Sequence, residues 1–182
     1  MEAEALALNG IGRNYGSMSD YGSAMEYLDQ ALVFEYELGG DRIGETYCTM
    51  GDVLVAQEGR EKEAILMFQK CVGFFEEENA SDLMRVFLKL GQAYTKIEAW
   101  DDAIAYLEKS ISSTESIEDE RLGNQLKAAA KQSLGNTYLE KYESLSERND
   151  ELIRKALFFS EAAFNLQSSI RVSYVYEVWI VL

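Results

Sequence analysis

Small and apolar residues recur along the chain at intervals of four and then three positions, the spacing of one face of an α-helix. This spacing occurs four times, and each occurrence predicts a helix with a narrow packing face. The three positions are occupied by Ala24, Leu28 and Ala31; Ala64, Phe68 and Cys71; Ala103, Leu107 and Ser110; and Ala156, Ser160 and Ala163.

A glycine within a short apolar string precedes each of these predicted helices. The four strings share an apolar residue, the glycine, and an aromatic residue or leucine three positions later: Ile11 to Tyr15, Met50 to Leu54, Leu90 to Tyr94 and Leu134 to Tyr138. Successive glycines are 39, 40 and 44 positions apart. The pattern predicts helical hairpins in which the glycine allows two helices to cross closely. We therefore expect a bulky residue at Gly91 to destabilise the fold.

This pair of strings resembles the tetratricopeptide repeat (TPR), whose first helix carries Leu-Gly-x-x-Tyr and whose second carries Ala-x-x-x-Phe-x-x-Ala. The resemblance extends over roughly residues 5 to 168. It implies an all-α, right-handed superhelical solenoid of about four helix-turn-helix hairpins with a C-terminal capping segment. Because the interval near 40 exceeds the usual length of about 34 residues, the repeats are similar to those of kinesin light chains and of spindle-orientation adaptors that bind G-protein subunits.

The same pattern predicts the domain organisation. We expect one TPR domain over residues 1–182, with repeats at roughly 5–40, 44–80, 83–118 and 124–168 and a capping tail at 169–182. The fourth repeat has nine additional residues within 142–150, which predict a longer first helix or a projecting loop. The tail is rich in β-branched and aromatic residues that favour a strand, but its apolar residues also recur at helical spacing, and we predict a short closing helix.

Composition and charge narrow the partner classes. The chain of 182 residues contains no proline, which removes the strongest helix breaker, and its hydrophobic fraction of 47% is that of a folded protein. Its formal net charge of −15 repels phosphate backbones and anionic lipid surfaces. We therefore expect neither a nucleic-acid nor a membrane partner, and the charge favours a basic protein segment.

Residue types also argue against an enzyme. Histidine is absent, which excludes the common triad and imidazole-based acid–base systems. The glycine strings at 10–15 and 39–44 lack the remaining residues of dinucleotide-binding and phosphate-binding loops, and the acidic run at 76–78 lacks the spacing of a calcium loop. We predict no catalytic residues, no cofactor and no metal.

The two cysteines and the first residues bear on location. Cys48 and Cys71 are far apart in sequence, and we expect both to be reduced thiols. The acidic start lacks the basic flank and apolar run of a signal peptide. These features predict a cytoplasmic location, with the nucleus and the cytoskeleton as alternatives.

A partner-binding groove follows from the resemblance, because first helices of successive hairpins line the concave surface of such repeats. Its residues lie on the face beside the packing stripe, again at spacings of four and three. The predicted groove contains Asn9, Arg13, Asp52, Arg85, Leu88, Gln92, Lys96, Gln132, Asn136 and Leu139.

These expectations lead to two functions. The first is a non-catalytic interaction module or scaffold that binds a peptide or helix of a partner in the groove. The alternative is a structural subunit of a homo- or hetero-oligomer that is joined through its repeat ends, with the apolar tail as the point of self-association.

Overall fold

The structure is a computed structural model that describes residues 2–40, 42–75, 80–145 and 149–181. Eight α-helices and one short 3-10 helix are present in these ranges, and no strand is, which confirms the predicted all-α fold class. The α-helices are α1 Glu2–Ser17, α2 Tyr21–Leu38, α3 Ile43–Val55, α4 Glu61–Val72, α5 Ala80–Lys96, α6 Trp100–Ser113, α7 Glu120–Ser144 and α8 Asp150–Val181; the 3-10 helix is Thr114–Ser116.

Polar residues and glycine define several helix ends. The carboxylate of Asp20 accepts a hydrogen bond from the backbone N–H of Ser23 and begins α2. Asp119 begins α7 in the same way by accepting from the N–H of Leu122. Gly39 ends α2 in the left-handed conformation, with a φ of 101°. These caps explain where α2 and α7 begin and where α2 ends.

The helices group into two compact units, residues 1–78 and residues 79–182. The first unit contains the hairpins α1–α2 and α3–α4, and α3 also contacts α1 and α2. The second unit contains the hairpins α5–α6 and α7–α8, and α7 also contacts α5 and α6. A single domain that includes both units, its repeat bounds and the right-handed superhelix stay predictions.

Glycines allow the two helices of each hairpin to cross closely. A Cβ atom at Gly51 would overlap the ring of Phe68, and one at Gly91 would lie 2.5 Å from Cγ of Leu107. Phe68 and Leu107 are both fully buried. The crossing therefore has no room for a side chain at the glycine, as the sequence pattern predicts.

Cys48 and Cys71 form a disulfide bond, and our expectation of two reduced thiols was wrong for this structure. The bond joins α3 to α4, and the two Cα atoms are 5.4 Å apart. The separation of 23 positions in sequence is bridged because the second hairpin folds α4 back onto α3.

The C-terminal segment continues the last helix of the fourth hairpin. The backbone of α8 is helical as far as Val181, so residues 169–181 form neither a strand nor a separate short helix. Leu182 lies outside the described residues. The additional residues of the fourth repeat are accommodated in part by α7, which extends nine residues beyond Gly135, whereas α5 extends five beyond Gly91. Residues 146–148 lie outside the described residues.

Candidate functional site

One position of the predicted groove is exposed on all four first helices. Arg13 on α1 and Asp52 on α3 occupy it in the first unit, and Gln92 on α5 and Asn136 on α7 occupy it in the second. The other predicted positions differ in accessibility, and some of them are not exposed. In the second unit, Leu88 and Gln132 are half-buried. The accessible surface of the first helices is therefore narrower than the sequence pattern predicts.

Asn9 is buried, and its predicted place in an accessible groove is wrong. Only 6% of its surface is exposed. Its Nδ2 donates to Oγ1 of Thr46 at 2.6 Å, and its Oδ1 accepts from Oγ1 of Thr49 at 3.5 Å. The amide is thus occupied in joining α1 to α3, because this position faces the neighbouring first helix.

Hydrogen bonds join neighbouring first helices at equivalent positions in both units. In the first unit, Nη2 of Arg13 donates to Oγ1 of Thr49 at 3.5 Å. In the second unit, Nε2 of Gln92 donates to Oγ of Ser133 at 2.8 Å. Because Arg13 corresponds to Gln92 and Thr49 to Ser133 when the repeat glycines are aligned, the same side-chain bridge occurs twice. We did not predict the threonine and serine partners, although their repeated spacing is visible in the sequence.

A buried threonine pair lies next to this bridge in the second unit. Oγ1 of Thr95 on α5 and Oγ1 of Thr137 on α7 are 2.8 Å apart. Each hydroxyl also lies within hydrogen-bond distance of a carbonyl one turn earlier, that of Gly91 for Thr95 and that of Ser133 for Thr137. Because each hydroxyl has one proton, one threonine donates to its carbonyl and accepts from the hydroxyl of the other. These bonds fix α5 and α7 relative to each other, so the side chains exposed above them have a defined spacing.

The exposed side chains on α5 and α7 combine charge, amides and one apolar group. We call this surface the α5–α7 face. Nε2 of Gln132, beside it, donates to Oδ1 of Asn136 at 3.1 Å, while Leu139 is 41% exposed. The α5–α7 face consists of the exposed residues Arg85, Gln92, Lys96, Asn136 and Leu139.

A buried carboxylate lies in the first unit, outside the predicted groove. Glu35 on α2 is 3% exposed, and its Oε1 accepts a hydrogen bond from Oγ1 of Thr46 at 2.9 Å. Burial raises the pKa of Glu35, whereas the hydrogen bond from Thr46 and the charge of Arg42 act in the opposite direction. The repeat pattern did not reveal this residue, because its burial depends on how α2 packs against α3.

Replacing this carboxyl should change how stability depends on pH. With the pKa raised above its ordinary value of 4.5, the folded chain holds a proton that the unfolded chain has already released. The free energy of unfolding therefore falls as pH rises through this window. Glu35→Gln removes this contribution, so the variant should lose less stability than the wild type as pH rises from 4.5. Urea denaturation over a series of pH values measures the difference.

The control for this prediction is Glu37→Gln, which removes an exposed carboxyl from the same helix. It should keep the pH profile of the wild type. An identical profile for Glu35→Gln would show that Glu35 titrates in the same way in the folded and unfolded chains.

Comparison with known proteins gives one family match, which lies in the first hairpin. A tetratricopeptide repeat model matches residues 5–32, which extend from the first turns of α1 into α2 and include Gly12 and the Ala24–Leu28–Ala31 face. The first hairpin is therefore similar to one tetratricopeptide repeat. The other hairpins have a glycine crossing at the same place. No curated protein matches the sequence.

The tetratricopeptide repeat is a non-catalytic module that mediates protein–protein interaction and scaffolding. In the described parts of the chain, no group of three or more acidic or cysteine side chains is placed to hold a metal ion. None of the described helices is both long and apolar enough to cross a membrane. Protein binding is the function class that is typical of the repeat that residues 5–32 match.

Proposed function

We propose that this protein binds a peptide or helix of a partner protein along its exposed first-helix surfaces, with the α5–α7 face as the main contact. The observation that carries the proposal is the fixed pairing of α5 and α7. The Gln92–Ser133 and Thr95–Thr137 bonds hold two helices side by side, and a surface that is already ordered loses little entropy on binding.

The chemistry of the α5–α7 face suits a peptide main chain. The amides of Gln92 and Asn136 can both donate to carbonyls and accept from N–H groups. Arg85 and Lys96 can donate charge-assisted bonds to a carboxylate or a chain terminus, and Leu139 offers an apolar contact. Mixed donors and acceptors of this kind fit an extended or helical segment.

Long-range charge adds a second preference. The net charge of −15 attracts segments that are basic overall and makes association sensitive to salt. Arg85 and Lys96 then favour a carboxylate or carbonyl at one place along such a segment. We therefore propose a basic partner segment whose binding weakens as salt concentration rises.

Site-specific photo-crosslinking tests this proposal. A photoreactive amino acid at position 136, on the α5–α7 face, should cross-link one protein in native extract, within one contiguous segment. The same amino acid at position 108, where Glu108 is exposed on α6, is the matched control and should not. Equal cross-linking from both positions would contradict binding at the α5–α7 face.

A specific observation also favours the oligomer alternative. On α6, Ile104 and Ile111 pack against the cluster that contains Leu134 and Tyr138 of α7. The equivalent residues of α8 are Leu157 and Phe164, which are 65% and 66% exposed. On α6 this face is covered by α7, the first helix of the next hairpin. Among the described residues, the equivalent face of α8 is exposed.

The first helix of another copy matches this open face. On α7, Ala130 and Leu134 are fully buried, whereas the equivalent residues on α1, Ala7 and Ile11, are exposed. Contact between α8 of one copy and α1 of the next would repeat the α6–α7 packing. Such a head-to-tail contact joins different surfaces and generates chains or rings.

Sedimentation equilibrium distinguishes this alternative. If it holds, the wild type should associate as concentration rises, and the Leu157→Glu/Phe164→Glu double variant should stay monomeric. Leu66→Glu, at a residue of α4 that is also exposed, is the control and should associate like the wild type. A wild type that is monomeric at every concentration would contradict the alternative.

A further inference from the structure

A small pocket opens in the first unit where α1, α2 and the start of α3 meet. Its volume is about 140 Å³, close to that of cavities that hold a benzene-sized group and below the roughly 300 Å³ at which sites for drug-sized ligands begin. The pocket therefore suits the end of one side chain or a small ion. Its lining residues are Glu2, Ala5, Glu35, Leu38, Gly40 and Arg42.

The hydrogen bonds around Glu35 all point towards its carboxyl. Nδ2 of Asn9 donates to Oγ1 of Thr46, and this hydroxyl donates in turn to Oε1 of Glu35. The hydroxyl thus uses its proton on Glu35 while its oxygen accepts from Asn9. This direction favours the ionised carboxylate, which is an acceptor only.

The second carboxyl oxygen is left without a partner. Oε2 of Glu35 is buried and makes no hydrogen bond within the described part of the chain. A buried polar atom in this condition is costly, and more so when it carries charge. Protonation would not resolve the deficit, because the new O–H donor would then need an acceptor. A donor from outside the chain would satisfy the oxygen.

Charge indicates which donor fits. Glu2 adds a second carboxylate to the pocket wall, and the one basic residue of the lining, Arg42, is already paired, since its Nη2 lies 2.5 Å from Oε2 of Glu45. Two carboxylates are fewer oxygen ligands than calcium takes. An ammonium or guanidinium group carries its own N–H donors and needs only a carboxylate to accept them. Such charge-assisted hydrogen bonds are stronger than those between neutral groups.

We propose that this pocket binds the ammonium or guanidinium group of a basic side chain, with Glu35 as the residue that recognises the cation. The proposal concerns the first unit and does not require the α5–α7 face to bind. It agrees with the basic partner that the net charge favours, and it identifies the position where one basic side chain of that partner would be anchored.

Nuclear magnetic resonance titration of the whole chain tests the proposal. The probes are N-acetyl-arginine methylamide, N-acetyl-lysine methylamide and the apolar N-acetyl-norleucine methylamide. The two cationic probes should shift the backbone resonances of Ala5 and Gly40 in a saturable way, and the norleucine probe should not. Glu35→Gln should weaken binding of the cationic probes at least about tenfold.

Glu37→Gln is the matched control, because it removes the same charge from an exposed position of α2, and it should bind within about twofold of the wild type. Unchanged affinity in Glu35→Gln, or equal shifts from the norleucine probe, would overturn the proposal. Shifts caused by magnesium chloride that displace the arginine probe would assign the pocket to a metal ion and overturn it as well.

A further titration distinguishes two sources of the cation. A short peptide with one arginine among serines and glycines should bind more tightly than the single-residue probe if the cation belongs to a partner protein. Equal affinities would assign the pocket to a free cationic metabolite. Both results support the recognition of a cation by Glu35, and neither depends on the result of photo-crosslinking at the α5–α7 face.

Discussion

Gly51→Val should lower the free energy of unfolding by about 3 kcal/mol. A side chain at this position of α3 would overlap the ring of Phe68 on α4, which is fully buried. Overpacking of this kind forces the helices apart or the ring out of its rotamer. Urea denaturation monitored by circular dichroism measures the loss.

The control is Gly10→Val, which makes the same change in the same unit. Gly10 lies within α1, and a Cβ there would meet nothing within 4 Å. Since valine is a slightly better helix former than glycine, stability should change by about 0.5 kcal/mol or less. If Gly51→Val were as stable as Gly10→Val, the result would contradict the claim that α3 and α4 cross too closely for a side chain at position 51.

Reduction of the Cys48–Cys71 bond should lower the free energy of unfolding by about 3 kcal/mol, the value that loop-closure entropy predicts for a loop of roughly this length. The bond closes a loop that contains most of the second hairpin and so restricts the unfolded chain. Denaturation with and without dithiothreitol measures the loss, and the Cys48→Ala variant should not respond to the reductant.

Thiol titration of the denatured protein is the direct check on this bond. Two thiols should react only after reduction. Two reactive thiols without reductant would show that the cysteines are reduced, as the sequence alone led us to expect. Because disulfides are rare in the cytosol, the result also bears on the predicted cytoplasmic location.

Much of the fold could be predicted because the sequence patterns that determine it lie within single hairpins. The glycine strings and the four-then-three spacing report which residues meet where two helices cross, and such contacts recur in every hairpin. The structure places Gly51 against Phe68 and Gly91 against Leu107 accordingly. The disulfide could not be predicted in the same way, since only the fold of the second hairpin brings Cys48 close to Cys71.

The candidate site was predicted less well, because burial depends on neighbouring helices. Position 9 and position 13 lie on the same side of α1, yet Asn9 is buried against Thr46 while Arg13 is exposed. Helical periodicity alone cannot show which of two such positions is buried. Glu35 shows the same limit, since a charged residue in an amphipathic helix is ordinarily exposed and only the packing of α2 on α3 buries it.

Calorimetric titration of the cross-linked partner segment, prepared as a synthetic peptide, tests the central claim most directly. Binding at the α5–α7 face predicts that the Lys96→Ala/Asn136→Ala double variant weakens affinity at least about tenfold, because both exposed groups would lose their bonds to the peptide. Exposed Glu108→Ala on α6 should bind like the wild type. Unchanged affinity in the double variant, with the fold intact by circular dichroism, would contradict the claim.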